Sequence, residues 1–251
     1  MPFNEGNLKE GEIICELNNR QVKDLSNNMK NLLRCLFGVV DDRKFVKCYK
    51  VDDAFKTDFV IEYDERKRNV SMKSGKAAIV HNEIISNFTS FLRSKGISER
   101  TIETIHLFNY GDGTTDGSSE NERKSYKDIS LALGDRIREA NKELNKDMEF
   151  ILQVLERCVF KGANEDNLEA DAVYFGDKEY GVIATKNQFI RNTRRRGFDF
   201  YEHLHIGPIL IRPHSRYVSK EITYQRNRDR LVCYWPNLRE DIEYMARRFN
   251  F

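Results

Sequence analysis

The chain has 251 residues, enough for one large domain or two modest ones with a substantial core. Charged residues make up 33% and apolar residues 39%, which excludes a disordered chain and fits a globular protein with a very polar surface. The 42 Lys and Arg stand against 40 Asp and Glu, so a net charge of only +2 excludes a whole-molecule field for polyanions, and any nucleic-acid surface must come from local segregation of charge.

The five cysteines, Cys15, Cys35, Cys48, Cys158 and Cys233, are widely separated and lack zinc-site spacing, a pattern that suits a reducing cytoplasm. No apolar run approaches the roughly 18 residues that span a bilayer, so neither membrane insertion nor secretion is expected.

In chain order, Val22, Leu25, Met29, Leu32, Leu33 and Leu36 recur at three- and four-residue steps and predict a helix from Asn19 to Phe37. Phe45 to Val51, Asp58 to Tyr63 and Asn69 to Lys73 read as strands of a β-meander, the last two joined by the charged turn at 64–68. A helix is expected from Val80 to Lys95, stopped by Gly96, and a shorter one capped by Ser98 that ends near Phe108. Residues 110–119 are dense in turn formers and form a loop, either a lid or a groove-contacting segment. Helical periodicity returns over Ser125 to Ala140 and Lys142 to Phe160, a helical middle. Strand-like runs follow at Ala172 to Phe175, Gly181 to Ala184, Ile206 to Ile211 and Leu231 to Tyr234, before a last helix from Asn237 to Arg248. The order predicts an α/β (α+β) protein with a mixed central sheet flanked by helices. It reads as a single domain over 1–251, with a subdivision into 1–161 and 162–251 at Gly162.

Two strands carry chemistry. Asp58 opens one apolar strand and Ser71-Met72-Lys73 closes the next, so a period of two turns Ser71 and Lys73 to one face, where a hairpin partner brings Asp58 beside them. Hard oxygens suit a divalent cation such as Mg²⁺, and a lysine can steady an attacking water and the charge developing on phosphorus.

This layout resembles the PD-(D/E)xK, restriction-endonuclease-like nuclease superfamily, in which an acid on one strand faces an acid-x-Lys on the next. The resemblance covers Lys44 to Lys95, with Ser71 standing where the second carboxylate is expected. Some restriction enzymes of the superfamily show SxK and take the missing acid from the following helix, an arrangement that Glu83 in Val80-His81-Asn82-Glu83 resembles. The resemblance implies Asp58 and Glu83 as metal ligands, assisted by the Met72 carbonyl, with Lys73 orienting the nucleophilic water. On a helical wheel, however, Glu83 lies over ~90° from the apolar stripe and His81 near it, so both residues stay in play for the site. Glu16, in Ile13-Ile14-Cys15-Glu16-Leu17, is a further acid whose surface reading is favoured. Asp171 to Lys186 repeats the acid-to-lysine interval with Ala184 at the second-acid position and reads as a structural hairpin; His203-x-His205 is also read as structural.

Lys76, the cluster Arg191, Arg194, Arg195 and Arg196, and the pair Arg212 and Arg216 are the cations expected to meet phosphates, interleaved with aromatic residues. The resulting expectation is a Mg²⁺-dependent endodeoxyribonuclease, Mn²⁺ being a substitute, of the type II restriction or phage-defence kind, acting on double-stranded DNA as a homodimer. Two alternatives stand beside it: a ribonuclease or toxic effector with the same site, and a DNA-binding module whose site has decayed.

Overall fold

Apolar residues at helical and strand spacing set the elements, and capping residues set their ends. The computed structural model describes residues 5–51, 55–75, 79–119, 121–164, 167–198, 203–214 and 227–249. In chain order the elements are α1 (Glu5–Leu17), β1 (Arg20–Gln21), α2 (Asn27–Phe37), β2 (Phe45–Lys50), β3 (Phe59–Tyr63), β4 (Arg66–Lys73), β5 (Ile79–Ile84), α3 (Ile85–Ser94), α4 (Glu99–Tyr110), α5 (Tyr126–Ala132), α6 (Gly134–Leu144) and α7 (Met148–Leu155). A π-helical turn (Glu156–Lys161) leads to β6 (Ala172–Gly176), β7 (Gly181–Thr185), α8 (Lys186–Arg195), β8 (His205–Ile206), β9 (Ile209–Pro213), β10 (Arg230–Tyr234) and α9 (Leu238–Phe249). The α+β expectation holds. The chain separates into two interleaved units rather than two consecutive halves: Met1–Ala78, Val159–Arg195 and Asn237–Phe251 form the first, and Ile79–Cys158 with Arg196–Pro236 the second.

The first unit is built on a six-stranded mixed sheet in the order β1-β2-β3-β4-β6-β7. Its centre is the expected meander. Asp64 and Glu65, at φ 51° and 62°, make the two-residue turn between β3 and β4, the backbone twist that matches hairpin strands. That turn fixes the register Phe59↔Val70 through Tyr63↔Arg66, and β6 then joins β4 in parallel, Val70↔Ala172 through Lys73↔Phe175. Ile13 and Leu17 of α1 and Met29, Leu32 and Leu33 of α2 pack with Val46, Cys48, Phe59, Ile61, Val70 and Tyr174 into one core.

Two expectations in this unit shift. Helix α2 starts at Asn27 because the Ser26 hydroxyl caps it, accepting the Met29 N–H at 3.3 Å. Val22 and Leu25 are buried ahead of it in a 3₁₀ turn and its flank, where they mimic the helical stripe. Helix α1 is absent from the sequence reading because its polar outer face outweighs Ile13 and Leu17.

The β6–β7 hairpin closes over Tyr174, whose hydroxyl accepts from Asn28 at 2.8 Å and which is 1% exposed. A Cβ at Gly181 would overlap the Tyr174 ring. Gly181→Ala should therefore destabilise the chain by about 1–3 kcal/mol, the usual cost of forcing extra volume into a packed core, as read from the midpoint of chemical denaturation.

The second unit has a four-stranded antiparallel sheet in the order β5-β10-β9-β8, accompanied by α3 to α7. The stretch expected as the start of a helix at Val80 is instead strand β5, and helix begins at Ile85. Five residue pairs with β10, from Ile79↔Tyr234 to Ile84↔Arg230, hold this β-branched run extended, which local periodicity could not register. Of the expected stripe Ile84, Ile85, Phe88, Phe91 and Leu92, only Ile85, Phe88 and Leu92 are buried; Phe91 is half-buried and Ile84, still on β5, is exposed. The helical middle divides into three: α5 ends at Ala132, α6 starts at Gly134, and Asp147 caps α7 by accepting the Glu149 N–H.

The loop at 110–119 is organised around Asp112, buried at 4% exposure, which accepts Thr114 N–H at 2.9 Å and pairs with Arg228 at 2.9 Å. Those bonds give it a structural anchor.

Candidate active site

The β3–β4 ladder ends at the pair Phe59↔Val70, and just ahead of it the Asp58 N–H donates to Val70 O at 2.9 Å. Thr57, 1% exposed, anchors the approach by donating to Leu168 O at 2.9 Å. The Asp58 side chain then turns onto β4, where its Oδ2 accepts the Met72 N–H at 2.5 Å and the Ser71 hydroxyl at 3.2 Å. Lys73, two residues on from Ser71 and on the same face, donates from Nζ to Ser71 Oγ at 2.9 Å and to Met72 O at 2.8 Å, and lies 3.7 Å from Asp58 Oδ2. Ammonium, hydroxyl and carboxylate thus form a short chain of charge-assisted hydrogen bonds. Ser71 is fully buried, while Asp58 and Lys73 keep 29% and 23% of their side chains exposed, so the charged ends reach solvent.

Asp58, Ser71, Met72 and Lys73 are therefore brought together, as the spacing implied. Glu83 and His81 have partners of another kind. They lie on β5 in the second unit, where Arg157 donates to Glu83 from Nε at 3.1 Å and Nη2 at 2.7 Å, and His81 Nε2 stands 2.9 Å from Glu83 Oε1. The guanidinium of Arg157 also stacks over the Phe91 ring, 4.7 Å from its centroid. Burial alone would push the Glu83 carboxyl up, but the hydrogen bonds from His81 and Arg157 outweigh it and hold the group below its ordinary value. Arg157 had no sequence signal: it sits 74 positions from Glu83 in the chain, inside the π-helical turn.

The remaining candidates separate plainly. Glu16 Oε1 accepts the Ser26 N–H at 3.1 Å, an end-of-helix role. Asp171 accepts the Asn69 N–H at 2.8 Å and Lys186 pairs with Glu169, so the second acid-to-lysine interval is a structural hairpin, as expected. His203 Nδ1 meets the Tyr126 hydroxyl at 2.8 Å and His205 Nδ1 lies 3.1 Å from Gly207 O, again structural. Arg191, Arg194 and Arg195 are exposed on α8, and Arg196 lies over the Phe198 ring. Arg212 belongs to β9, and Lys76 and Arg216 lie outside the described residues.

Among the described residues no three His, Cys, Asp or Glu side chains converge as a metal group. A Mg²⁺ ion keeps several waters and binds through one or two carboxylates. Among the described residues the side-chain hydrogen bonds to Asp58 all fall on Oδ2, which leaves Oδ1 for a cation, and the Met72 carbonyl accepts from the Lys73 ammonium that also approaches Asp58. That donor set fits one largely hydrated ion.

The five cysteines are free, and no helix among the described residues is long and apolar enough to cross a membrane. A scan of protein-family models finds no match to the chain, and no curated protein matches it.

Proposed function

We propose that the chain is a Mg²⁺-dependent endodeoxyribonuclease of the restriction-endonuclease-like kind, working in the cytoplasm on double-stranded DNA. The observation that carries this reading is the convergence of Asp58 and Lys73 across the β3–β4 hairpin, 3.7 Å apart and partly open to solvent. The first unit's sheet is mixed, as the resemblance would require of its scaffold, and this is compatible with the reading.

Bound by Asp58 Oδ1 and the Met72 carbonyl, Mg²⁺ would supply Lewis acidity at the phosphate and a more acidic water. The chain's own residues do the rest. Ser71 fixes the Asp58 carboxylate by donating to Oδ2, so the other oxygen keeps one direction. Lys73 has three N–H donors, two of them committed to Ser71 and Met72, so the third can hold the attacking water or a non-bridging phosphate oxygen. Its positive charge offsets the charge that grows on phosphorus. Cutting both strands of a palindrome calls for a two-fold dimer.

Supercoiled plasmid incubated with the purified chain and Mg²⁺ or Mn²⁺ should be nicked and linearised, and labelled RNA should stay intact. Degradation of RNA alone would move the substrate to the ribonuclease reading. One observation favours the decayed-module reading: Glu83, the candidate second acid, is engaged by Arg157 and His81. That reading expects DNA binding with no metal-dependent cleavage.

A further inference from the structure

In the second unit, charge divides between the two faces of the sheet. Directly opposed residues of neighbouring strands share a face, so the pairings Val232↔Arg212 and Val232↔Asn82 put Arg212, Val232 and Asn82 on one side. Arg230, Tyr234 and Ile84 join them by the period of two and the pairing Arg230↔Ile84, and His214 is tied beside Arg230 by its N–H to Arg230 O at 3.0 Å. Glu83, opposite Leu231, belongs to the other side with His81 and Arg157. Among the described strand residues the first face carries two arginines and no carboxylate.

Among the described residues the Arg230 guanidinium donates to the Asn82 side-chain oxygen, at 3.0 Å, and neither Arg230 nor Arg212 forms an ion pair. Arg212 is clamped between two rings, its guanidinium carbon 4.5 Å from the Tyr234 centroid and 5.2 Å from that of Tyr126. Its Nε is buried with no hydrogen-bond partner among the described residues. Stacking fixes a planar fork of donors in one orientation at little entropic cost on binding, the geometry that suits a phosphate. Asn82, Ile84 and His214 beside it are exposed. Burial and then the charge of Arg230 lower the His214 pKa, so the fixed charges of the face are the two arginines.

We infer that this face of the β5-β10-β9 sheet, centred on Arg212 between Tyr126 and Tyr234 and on Arg230, is a docking surface for the phosphate backbone of duplex DNA. The inference rests on the reading of the chain as one that acts on DNA, and it assigns the contact to the second unit. Charge complementarity names the occupant: two guanidinium groups that, among the described residues, meet no carboxylate suit adjacent backbone phosphates, and the contact positions the duplex rather than reading its sequence.

The test uses the full chain, a fluorescein-labelled 30-base-pair duplex and Ca²⁺ in place of Mg²⁺, with anisotropy measured over a range of salt. The double variant Arg212→Gln/Arg230→Gln should bind at least about tenfold more weakly, and its log–log salt dependence should be shallower by about 1–2. Arg212→Lys/Arg230→Lys, which keeps both charges, should retain most of the salt slope. Unchanged affinity and slope in the Gln variant would overturn the inference, as would equal loss in the Lys variant, which marks a structural effect, or binding of RNA in preference to duplex DNA. Cleavage by Asp58→Ala reports separately on the nuclease reading. If wild type cuts through Asp58 while the Gln variant binds normally, this inference fails alone; if Asp58→Ala cuts normally while the Gln variant loses binding, only the nuclease site fails.

Discussion

Lys73→Ala should lower Mg²⁺-dependent cleavage by roughly 10²–10³-fold, the cost of losing one oriented donor to a developing charge. The loss should fall on the turnover number more than on DNA affinity, because Lys73 is a single cation at the reacting phosphate rather than part of the wider backbone contact. Asp58→Asn should fall at least as far. It removes the carboxylate charge while keeping an oxygen that can accept from Met72 N–H and the Ser71 hydroxyl, so the hairpin stays folded. Single-turnover cleavage rates with saturating enzyme, beside circular dichroism to confirm folding, read both. Equal activity in Lys73→Ala and wild type would leave the ammonium–hydroxyl–carboxylate chain as a structural feature of the strand end.

The second large effect is on stability. Glu83→Ala should destabilise the second unit by about 3–5 kcal/mol, because Arg157, with 15% of its side chain exposed, would be left charged and largely buried without its partner. Glu83→Ala combined with Arg157→Met should recover much of that loss, since the isolated charge is then gone too. The pH dependence has a definite sign. The Glu83 carboxyl is held below its ordinary value, so its contribution is fully present above the unfolded-state pKa, near 4.3 by the usual reference of ~4.3, and is lost as pH falls through the lower folded-state value. Thermal melts from pH 7 down to pH 3 should show a steeper acid-side fall in wild type than in the double variant. Parallel curves would mean that the buried pair carries little net stabilisation.

Much of the first unit was legible in the sequence because its elements are set locally. The β3–β4 hairpin follows from alternating Phe59, Ile61 and Tyr63 and the charged turn read at 64–68, which the structure tightens to Asp64-Glu65, and the end of that hairpin is where Asp58 meets Ser71 and Lys73. The second unit was less legible because distant pairings decide it. Ile79 to Ile84 is held extended by β10, about 150 positions later, and the β-branched Ile79, Val80 and Ile84 were too few to mark the segment as a strand on their own. The same distance hid Arg157 from Glu83, so no local pattern showed the ion pair that Glu83 makes. The interleaving of the two units is likewise a matter of pairing between β4 and β6, which no local pattern carries.

The central claim, that Asp58 and its hairpin neighbours hold one divalent cation, is tested most directly by titrating Mn²⁺ into the full chain and following the free-ion signal by electron paramagnetic resonance. Wild type should take up Mn²⁺ at one site that Mg²⁺ displaces, and Asp58→Asn should weaken that uptake by at least about tenfold, as the loss of a charged ligand requires. Uptake by Asp58→Asn equal to that of wild type, or no uptake by either protein, would contradict it.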